Sequence, residues 1–231
     1  MRKEKNSAIR LRKDGLSYKQ IGDHLNLPKS TLSYWLKDLK ISAKAKNKIS
    51  KRAYEKSVAA LVKRNKMQTV LAKNRAEIIV NEAKEEFKFL IKNKLFLTGV
   101  SLYWAEGYKK GAYGSNWKCV DFANSDPDMI QIMLKFFRRV CKVNDNKIKM
   151  QLMAHKNIKI KKAEKFWLEL SDLPRNQFIN TFVRNKKGKK SSILDYGTVH
   201  IRISDVKLFF RIIGWIKGLN IYINKRAVVY R

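Results

Sequence analysis

Turn residues and short apolar stripes alternate along residues 1–41. Gly15 ends a first helical stretch, and Ser17 with Gln20 forms a capping box that opens a second one. The third stretch carries apolar side chains at i, i+3, i+4 and i+7, which is the spacing of one buried helix face. These side chains are Leu32, Trp35, Leu36 and Leu39. The pattern predicts a three-helix domain.

Residues 42–92 contain neither glycine nor proline and are rich in lysine, arginine and alanine. This composition predicts a basic helical linker, broken at most once. Its apolar residues, such as Val58, Leu61 and Ile78, are spaced too irregularly for a coiled coil. Its basic residues suit either a solvated helix face or a spacer that lies along a DNA backbone. The first of them are Lys44, Lys46, Lys48, Lys51 and Arg52.

Residues 93–231 mix helical and strand patterns, which predicts an α+β domain. The stretch 95–107 is apolar almost all round, so we expect a helix that is buried on most of its circumference. Strands are expected at 117–123, 147–155 and 198–204. Further helices are expected at 129–140, 161–170 and 208–219.

The strands at 147–155 and 198–204 alternate between apolar and polar residues, so each has a core face and an opposite face. The opposite face is basic, and it suits either a sheet lying in a DNA major groove or an ordinary half-solvated sheet. There we expect DNA contacts from Lys147, Lys149, Gln151, His200 and Arg202. A basic loop between two candidate strands predicts phosphate contacts from Lys186, Lys187, Lys189 and Lys190.

The charge of the chain narrows the class of partner. Its 52 lysines and arginines stand against 19 acidic residues, a formal net charge of +33 over 231 residues. This surplus favours a phosphate backbone, because each neutralised phosphate releases counterions; an anionic membrane surface is the alternative. With 45% hydrophobic residues the chain is not disordered. No segment approaches the roughly 18 apolar residues of a membrane span, so we expect a cytoplasmic protein with Cys119 and Cys141 reduced.

The third predicted helix has a face suited to DNA. Residues 15–22 followed by 29–37 resemble a helix-turn-helix of the resolvase or sigma-factor kind. Hydroxyl-bearing side chains at the start of this helix match what a major groove offers, whereas a helix that only packs has no need of them. The candidate DNA-binding residues are Lys29, Ser30, Thr31, Ser33, Tyr34 and Lys37.

Glu106 breaks a local rule of helix structure. It ends the apolar helix and precedes Gly107, a plausible left-handed cap, so the acid stands at the negative end of the helix dipole. That placement costs about 0.3–1 kcal/mol without a nearby cation. The cation is either Lys109 or Lys110, or a divalent metal shared with a second carboxylate and a scissile phosphate.

On Ser101, Leu102, Ala105, Glu106 and Gly107 the chain resembles the LAGLIDADG homing-endonuclease family. The resemblance spans residues 93–219 and implies an αββαββα domain, here with an inserted helix, that holds double-stranded DNA on its sheet. A single motif implies a homodimer whose helices pack through Ser101 and Ala105. Its paired Glu106 carboxylates would then bind Mg²⁺ and act as the catalytic residues of DNA cleavage.

These observations support three functions. The first is a metal-dependent DNA endonuclease that acts as a homodimer. The second is a sequence-specific, DNA-binding transcriptional regulator that keeps the endonuclease-like fold without cleaving. RNA binding ranks last, because the two alternating strands carry no aromatic stacking platform.

Overall fold

A computed structural model describes residues 2–156, 158–184 and 195–227. It separates into two compact units, Met1–Ala72 and Lys73–Arg231. The strands that it describes all lie in the second unit. No helix among the described residues is long and apolar enough to cross a membrane.

The first unit begins with the three predicted helices. The capping box is confirmed, because Ser17 and Gln20 each accept a hydrogen bond from the other's backbone N–H. The third helix ends at Leu36, earlier than the pattern predicted, although Leu39 still packs against the same core. The helices are α1 (Arg2–Lys13), α2 (Tyr18–Leu25) and α3 (Lys29–Leu36). Their buried residues are Ala8, Ile21, Leu32 and Leu36.

A single helix, α4 (Ala43–Leu90), runs unbroken for 48 residues. Ala45, near its start, is buried. The last turns of α4 contribute to the core of the second unit through Val80, Ala83 and Phe87. Residues 73–90, which the sequence analysis assigned to the linker, therefore pack with the second unit.

The second unit is α+β, as predicted, and contains a four-stranded mixed sheet. Its strands are β1 (Val120–Asn124), β2 (Ile148–His155), β3 (Phe178–Arg184) and β4 (Thr198–Ile203). The order across the sheet is β1-β4-β2-β3; β4 is antiparallel to both neighbours, and β2 is parallel to β3. The helices are α5 (Lys94–Glu106), α6 (Pro127–Lys135), α7 (Ile160–Ser171) and α8 (Val206–Ala227). Both cysteines are buried and free.

The order of elements differs from the αββαββα order that the resemblance implied. It is α5-β1-α6-β2-α7-β3-β4-α8, so β1 and β2 are each followed by a helix. After β1 the cause is local: Pro127 begins α6, and Asp126 accepts hydrogen bonds from the N–H groups of Asp128 and Met129. After β2, α7 is a crossover helix, which a parallel β2–β3 pair requires.

The core lies between the helices and one face of the sheet. Trp215 of α8 meets Phe96 and Phe136 edge-on, with ring centroids 5.2 and 6.1 Å apart. Glycine at 99 permits close packing of α5, because a Cβ on Gly99 would lie 2.2 Å from the Phe136 ring. The prediction that α5 is buried on most of its circumference is wrong for the described chain, because one face of the helix packs on the core and the opposite face is exposed to solvent. The exposed residues of α5 include Ser101, Trp104 and Ala105.

Candidate nucleic-acid interface

Helix α3 presents a hydrophilic face to solvent. The exposed residues on it and just after it are Lys29, Ser30, Ser33, Tyr34 and Lys37, and Thr31 is half-buried. Tyr34 is 74% exposed, and Lys37 Nζ lies 5.9 Å from the centroid of its ring. The candidate residues therefore share one accessible surface that combines hydroxyl groups with positive charge.

The turn before α3 fixes the direction of this helix. Asn26 adopts a left-handed conformation with φ 49°, and its N–H donates to the Gly22 carbonyl. A Cβ on Gly22 would lie 2.8 Å from the Leu27 carbonyl oxygen, so the tight turn favours glycine there. Pro28 precedes α3 and provides no side-chain cap. The N–H groups of the first helical turn therefore suit an external anion such as a phosphate.

The first turns of α4 add exposed positive charge to the same unit. The exposed lysines are Lys44, Lys46, Lys48 and Lys51. Arg52 differs from them, because its guanidinium donates to the Gly15 carbonyl and, over 3.3 Å, to Gln20 Oε1. Arg52 therefore ties α4 to the end of α1 and the start of α2, while the lysines remain accessible to a partner.

The sheet face opposite the core, called the open face below, carries a polar network. Gln151, His200 and Arg202 lie on it, as the alternation predicted. Asp121 of β1, an edge strand of the described sheet, joins this network and is only 7% exposed. Asp121 Oδ1 lies 2.9 Å from His200 Nδ1, and Oδ2 accepts a 3.4 Å hydrogen bond from Arg202 Nε. Arg202 Nη1 also donates to Gln151 Oε1 over 2.5 Å.

Sequence reasoning missed Asp121, because its role depends on how distant strands pair. In the β1–β4 ladder Asp121 lies directly across from Arg202, and in the β2–β4 ladder Gln151 lies across from His200. The available signal was a lone acid alternating with the apolar residues of a short strand. That signal does not identify the partner strand.

Aromatic side chains also border the open face, whereas the two clearly alternating strands had led us to expect no aromatic stacking platform there. Phe182 of β3 is 52% exposed and pairs with Met153, an open-face residue of β2. Trp117 is 44% exposed, and the Arg202 guanidinium carbon lies 5.8 Å from its ring centroid. β3 is the candidate strand that the sequence analysis placed before the basic loop without giving its bounds, and its ladder with β2 changes register between Gln151 and Met153.

The predicted lysine contacts on the sheet occupy different environments. Lys149 is half-buried and lies across from Arg202 in the β2–β4 ladder. Lys147 is exposed, but it belongs to a 3₁₀ turn before β2 rather than to the strand. The loop lysines lie outside the described residues, and their phosphate contacts stay a prediction; they are Lys186, Lys187, Lys189 and Lys190.

Glu106 is exposed at the last position of α5, as expected, but Gly107 is not a left-handed cap. Its φ is −71°, and its N–H donates to the Tyr103 carbonyl over 2.8 Å. Glycine is needed for close packing instead, because a Cβ there would lie 2.5 Å from that carbonyl oxygen. Lys109 Nζ donates to the Gly107 carbonyl over 2.6 Å. Partial burial lowers the pKa of Lys109, and the charge of Glu106 opposes that shift.

The environment of Glu106 bears on the two explanations for an acid at a helix C-terminus. The interaction with Lys109 supplies the nearby cation within the same chain. Among the described residues there is no group of three or more histidine, cysteine, aspartate or glutamate side chains that could hold a metal ion. Mg²⁺ binding at Glu106 stays a prediction.

Comparison with known families bears on the three N-terminal helices. Residues 2–42 match a family model described as a homeodomain-like domain. This match confirms the helix-turn-helix, and a domain of this kind indicates DNA binding. No curated protein and no solved structure matches the chain. The family match ends at residue 42, so the resemblance of residues 93–219 to LAGLIDADG endonucleases stays a prediction.

Proposed function

We propose that this chain is a sequence-specific protein for double-stranded DNA, in which α3 reads bases in the major groove. The observation that carries this proposal is the exposed hydroxyl and lysine face of α3, within a domain that matches the homeodomain-like family. Ser33 and Tyr34 supply hydrogen-bonding groups to base edges, and Lys29 and Lys37 contact phosphates.

Positive charge elsewhere in the chain provides affinity that is independent of sequence. The four exposed lysines at the start of α4 lie along the DNA backbone, and each phosphate contact releases counterions. On the open face, Lys149 provides a further phosphate contact. Net charge supports this arrangement, because 33 excess positive charges on a folded chain repel one another without a polyanion.

The test of this proposal is the double substitution Ser33→Ala with Tyr34→Ala. We expect the preference for a selected duplex over a scrambled one to fall by about 1–3 kcal/mol per lost base contact. The salt dependence of binding should not change, because no lysine is lost. The matched control is Ser50→Ala with Tyr54→Ala, which alters the same residue types at exposed positions on α4. Equal discrimination by both double variants would exclude α3 as the reading element.

A metal-dependent DNA endonuclease acting as a homodimer is the second candidate function. Two observations favour it: Glu106 is exposed at the end of α5, and the face with Ser101 and Ala105 is open to a second copy. In this function Glu106 of each copy contributes one carboxylate, and Mg²⁺ is the required metal. A transcriptional regulator that binds the same DNA without cleaving it is the alternative.

Incubation of supercoiled plasmid with Mg²⁺ or Mn²⁺ separates these two candidates. If the chain is an endonuclease, wild-type protein linearises plasmid that carries its preferred site, and Glu106→Gln abolishes cleavage while DNA affinity is retained. Glu82→Gln is the control, because Glu82 is an exposed acid on α4. Intact plasmid at every metal concentration, with specific binding preserved, would leave the regulator as the function.

A further inference from the structure

The guanidinium group of Arg202 is held in one orientation on the open face. Its Nε donates to Asp121 Oδ2 and its Nη1 donates to Gln151 Oε1. Gln151 is itself held, because its Nε2 donates to the Asn180 carbonyl over 2.8 Å. These two bonds use two of the five guanidinium N–H donors, so the second N–H of Nη1 and both N–H groups of Nη2 make no hydrogen bond to the described residues. The Arg202 side chain is 28% exposed. The guanidinium group thus keeps a pair of free donors on its terminal nitrogen atoms, in a side chain that is partly exposed.

Asp121 is an unusual residue for a basic surface. Its side chain is 8% exposed and accepts from both Arg202 and His200, in a chain with a large excess of positive charge. A carboxylate near a DNA backbone weakens the attraction to phosphate, so affinity alone does not explain it. The presence of Asp121 is explained by the orientation of its neighbours, because a buried carboxylate that accepts hydrogen bonds from two residues of one strand fixes both of their side chains.

We propose that the open face reads a guanine in duplex DNA through Arg202, and that Asp121 is the positioning residue that aligns the guanidinium group. Arginine is the side chain whose paired donors match guanine O6 and N7. A guanidinium group already fixed by two acceptors loses little conformational freedom when it meets the base. This inference rests on the proposed function, because it requires specific binding to duplex DNA.

Single-atom changes in the DNA test the contact. A preferred duplex is selected with the wild-type protein, and each guanine in turn is replaced by 7-deazaguanine, which lacks the N7 acceptor. Dissociation constants are then measured for wild type, Arg202→Lys, Asp121→Asn and the control Arg175→Lys. Arg175 is a suitable control because its side chain is 62% exposed and pairs with Glu164.

We expect one guanine at which the deaza base weakens wild-type binding about five- to 150-fold. The same replacement should have much less effect on Arg202→Lys, whose ammonium group lacks the planar donor pair, and on Asp121→Asn, whose guanidinium group is no longer aligned. Arg175→Lys should respond as wild type does. Arg202→Lys keeps its charge, so its salt dependence should match that of wild type. If Asp121→Asn does not fold, Asp121→Glu replaces it; the longer acid misplaces the guanidinium group and should show the same insensitivity.

Three results would overturn the inference. In the first, Arg202→Lys remains as sensitive as wild type at every guanine. In the second, Arg202→Lys loses the contact but folded Asp121 variants keep it, which removes the positioning role of Asp121. In the third, the open face of the wild-type protein prefers single-stranded DNA or RNA, with stacking on Phe182. Failure of the proposed function has a different signature, because wild-type protein would then not distinguish the selected duplex from a scrambled one.

Discussion

The two candidate DNA surfaces hold their polar side chains in different ways. On the first unit, Tyr34 is 74% exposed, and its ring interacts with Lys37 three residues along the chain. On the open face, Arg202 is held by Asp121 and Gln151, which come from two other strands. Ordering a free side chain on binding costs about 0.5–1.5 kcal/mol, whereas the open face is ordered when the chain folds.

Backbone geometry explains this difference. Neighbours on an exposed helix surface come from the same segment three or four residues away, so their interactions are weak and easily rearranged. Neighbours on a sheet come from separate strands, and cross-strand pairs connect distant parts of the chain. We therefore expect α3 to adapt to its target and the open face to select one arrangement of acceptors. Substitutions in each surface test this distinction.

Leu32→Ala disrupts the core beneath the exposed face of α3, and it should have the largest effect on stability. Leu32 is fully buried in the small core formed by the three N-terminal helices. We expect the free energy of unfolding of the first unit to fall by about 2–5 kcal/mol, with unit two unaffected. Hydrogen exchange of backbone amides follows each unit separately. The control Leu61→Ala makes the same change at a 50% exposed position on α4 and should alter stability by about 0.5 kcal/mol or less. Equal losses in the two variants would contradict the assigned core.

Asp121→Asn loosens the second surface. It keeps the size of the side chain but removes the charge that His200 and Arg202 share, so we expect a loss of about 1–3 kcal/mol in the stability of the second unit. Amide exchange should accelerate first in β1 and β4. Asp128→Asn, at an exposed position in α6, is the control. Unchanged exchange in both strands would show that the network does not order the open face.

Lowering the pH should reduce the stability of the second unit, because Glu86 becomes protonated. Hydrogen bonding from Arg211 lowers the pKa of Glu86 below its ordinary value of 4.5, and Trp215 Nε1 also donates to it over 3.0 Å. The pKa of Glu86 is lower in the folded protein than in the unfolded one, so this stabilisation is complete at pH values above the pKa of the unfolded state. It is lost as the pH falls through the folded pKa. The side chains are partly exposed, so we expect about 1 kcal/mol or less.

Glu86→Gln tests this pH dependence. Denaturant unfolding of wild type and variant is compared between about pH 6 and pH 3, spanning the ordinary glutamate pKa. The difference in stability between the two proteins should shrink toward the acid end. Glu82→Gln, at an exposed position of the same helix, should show no such trend. A constant difference for Glu86→Gln would mean that the pairing with Arg211 does not set the acid response.

Short-range sequence patterns correctly predicted the helices of the first unit. The Ser17–Gln20 capping box and the apolar stripe of α3 involve residues within one or two helical turns of each other, so composition and spacing carry most of the information. The predictions for the second unit were correct for the alternating strands and wrong for the burial of α5 and the cap at Gly107. Those two features depend on how α5 packs on the core and how Gly107 pairs with Phe122.

By itself the sequence determined the helix-turn-helix, the positive charge of the chain and the polar sides of β2 and β4, because each follows from local spacing or from simple composition. Tertiary structure alone decided that Asp121 meets Arg202 and His200, since these residues are 79 or more positions apart and only strand pairing joins them. It also decided that Phe182 shares their face. Register is a property of paired strands, and no single strand encodes its partner.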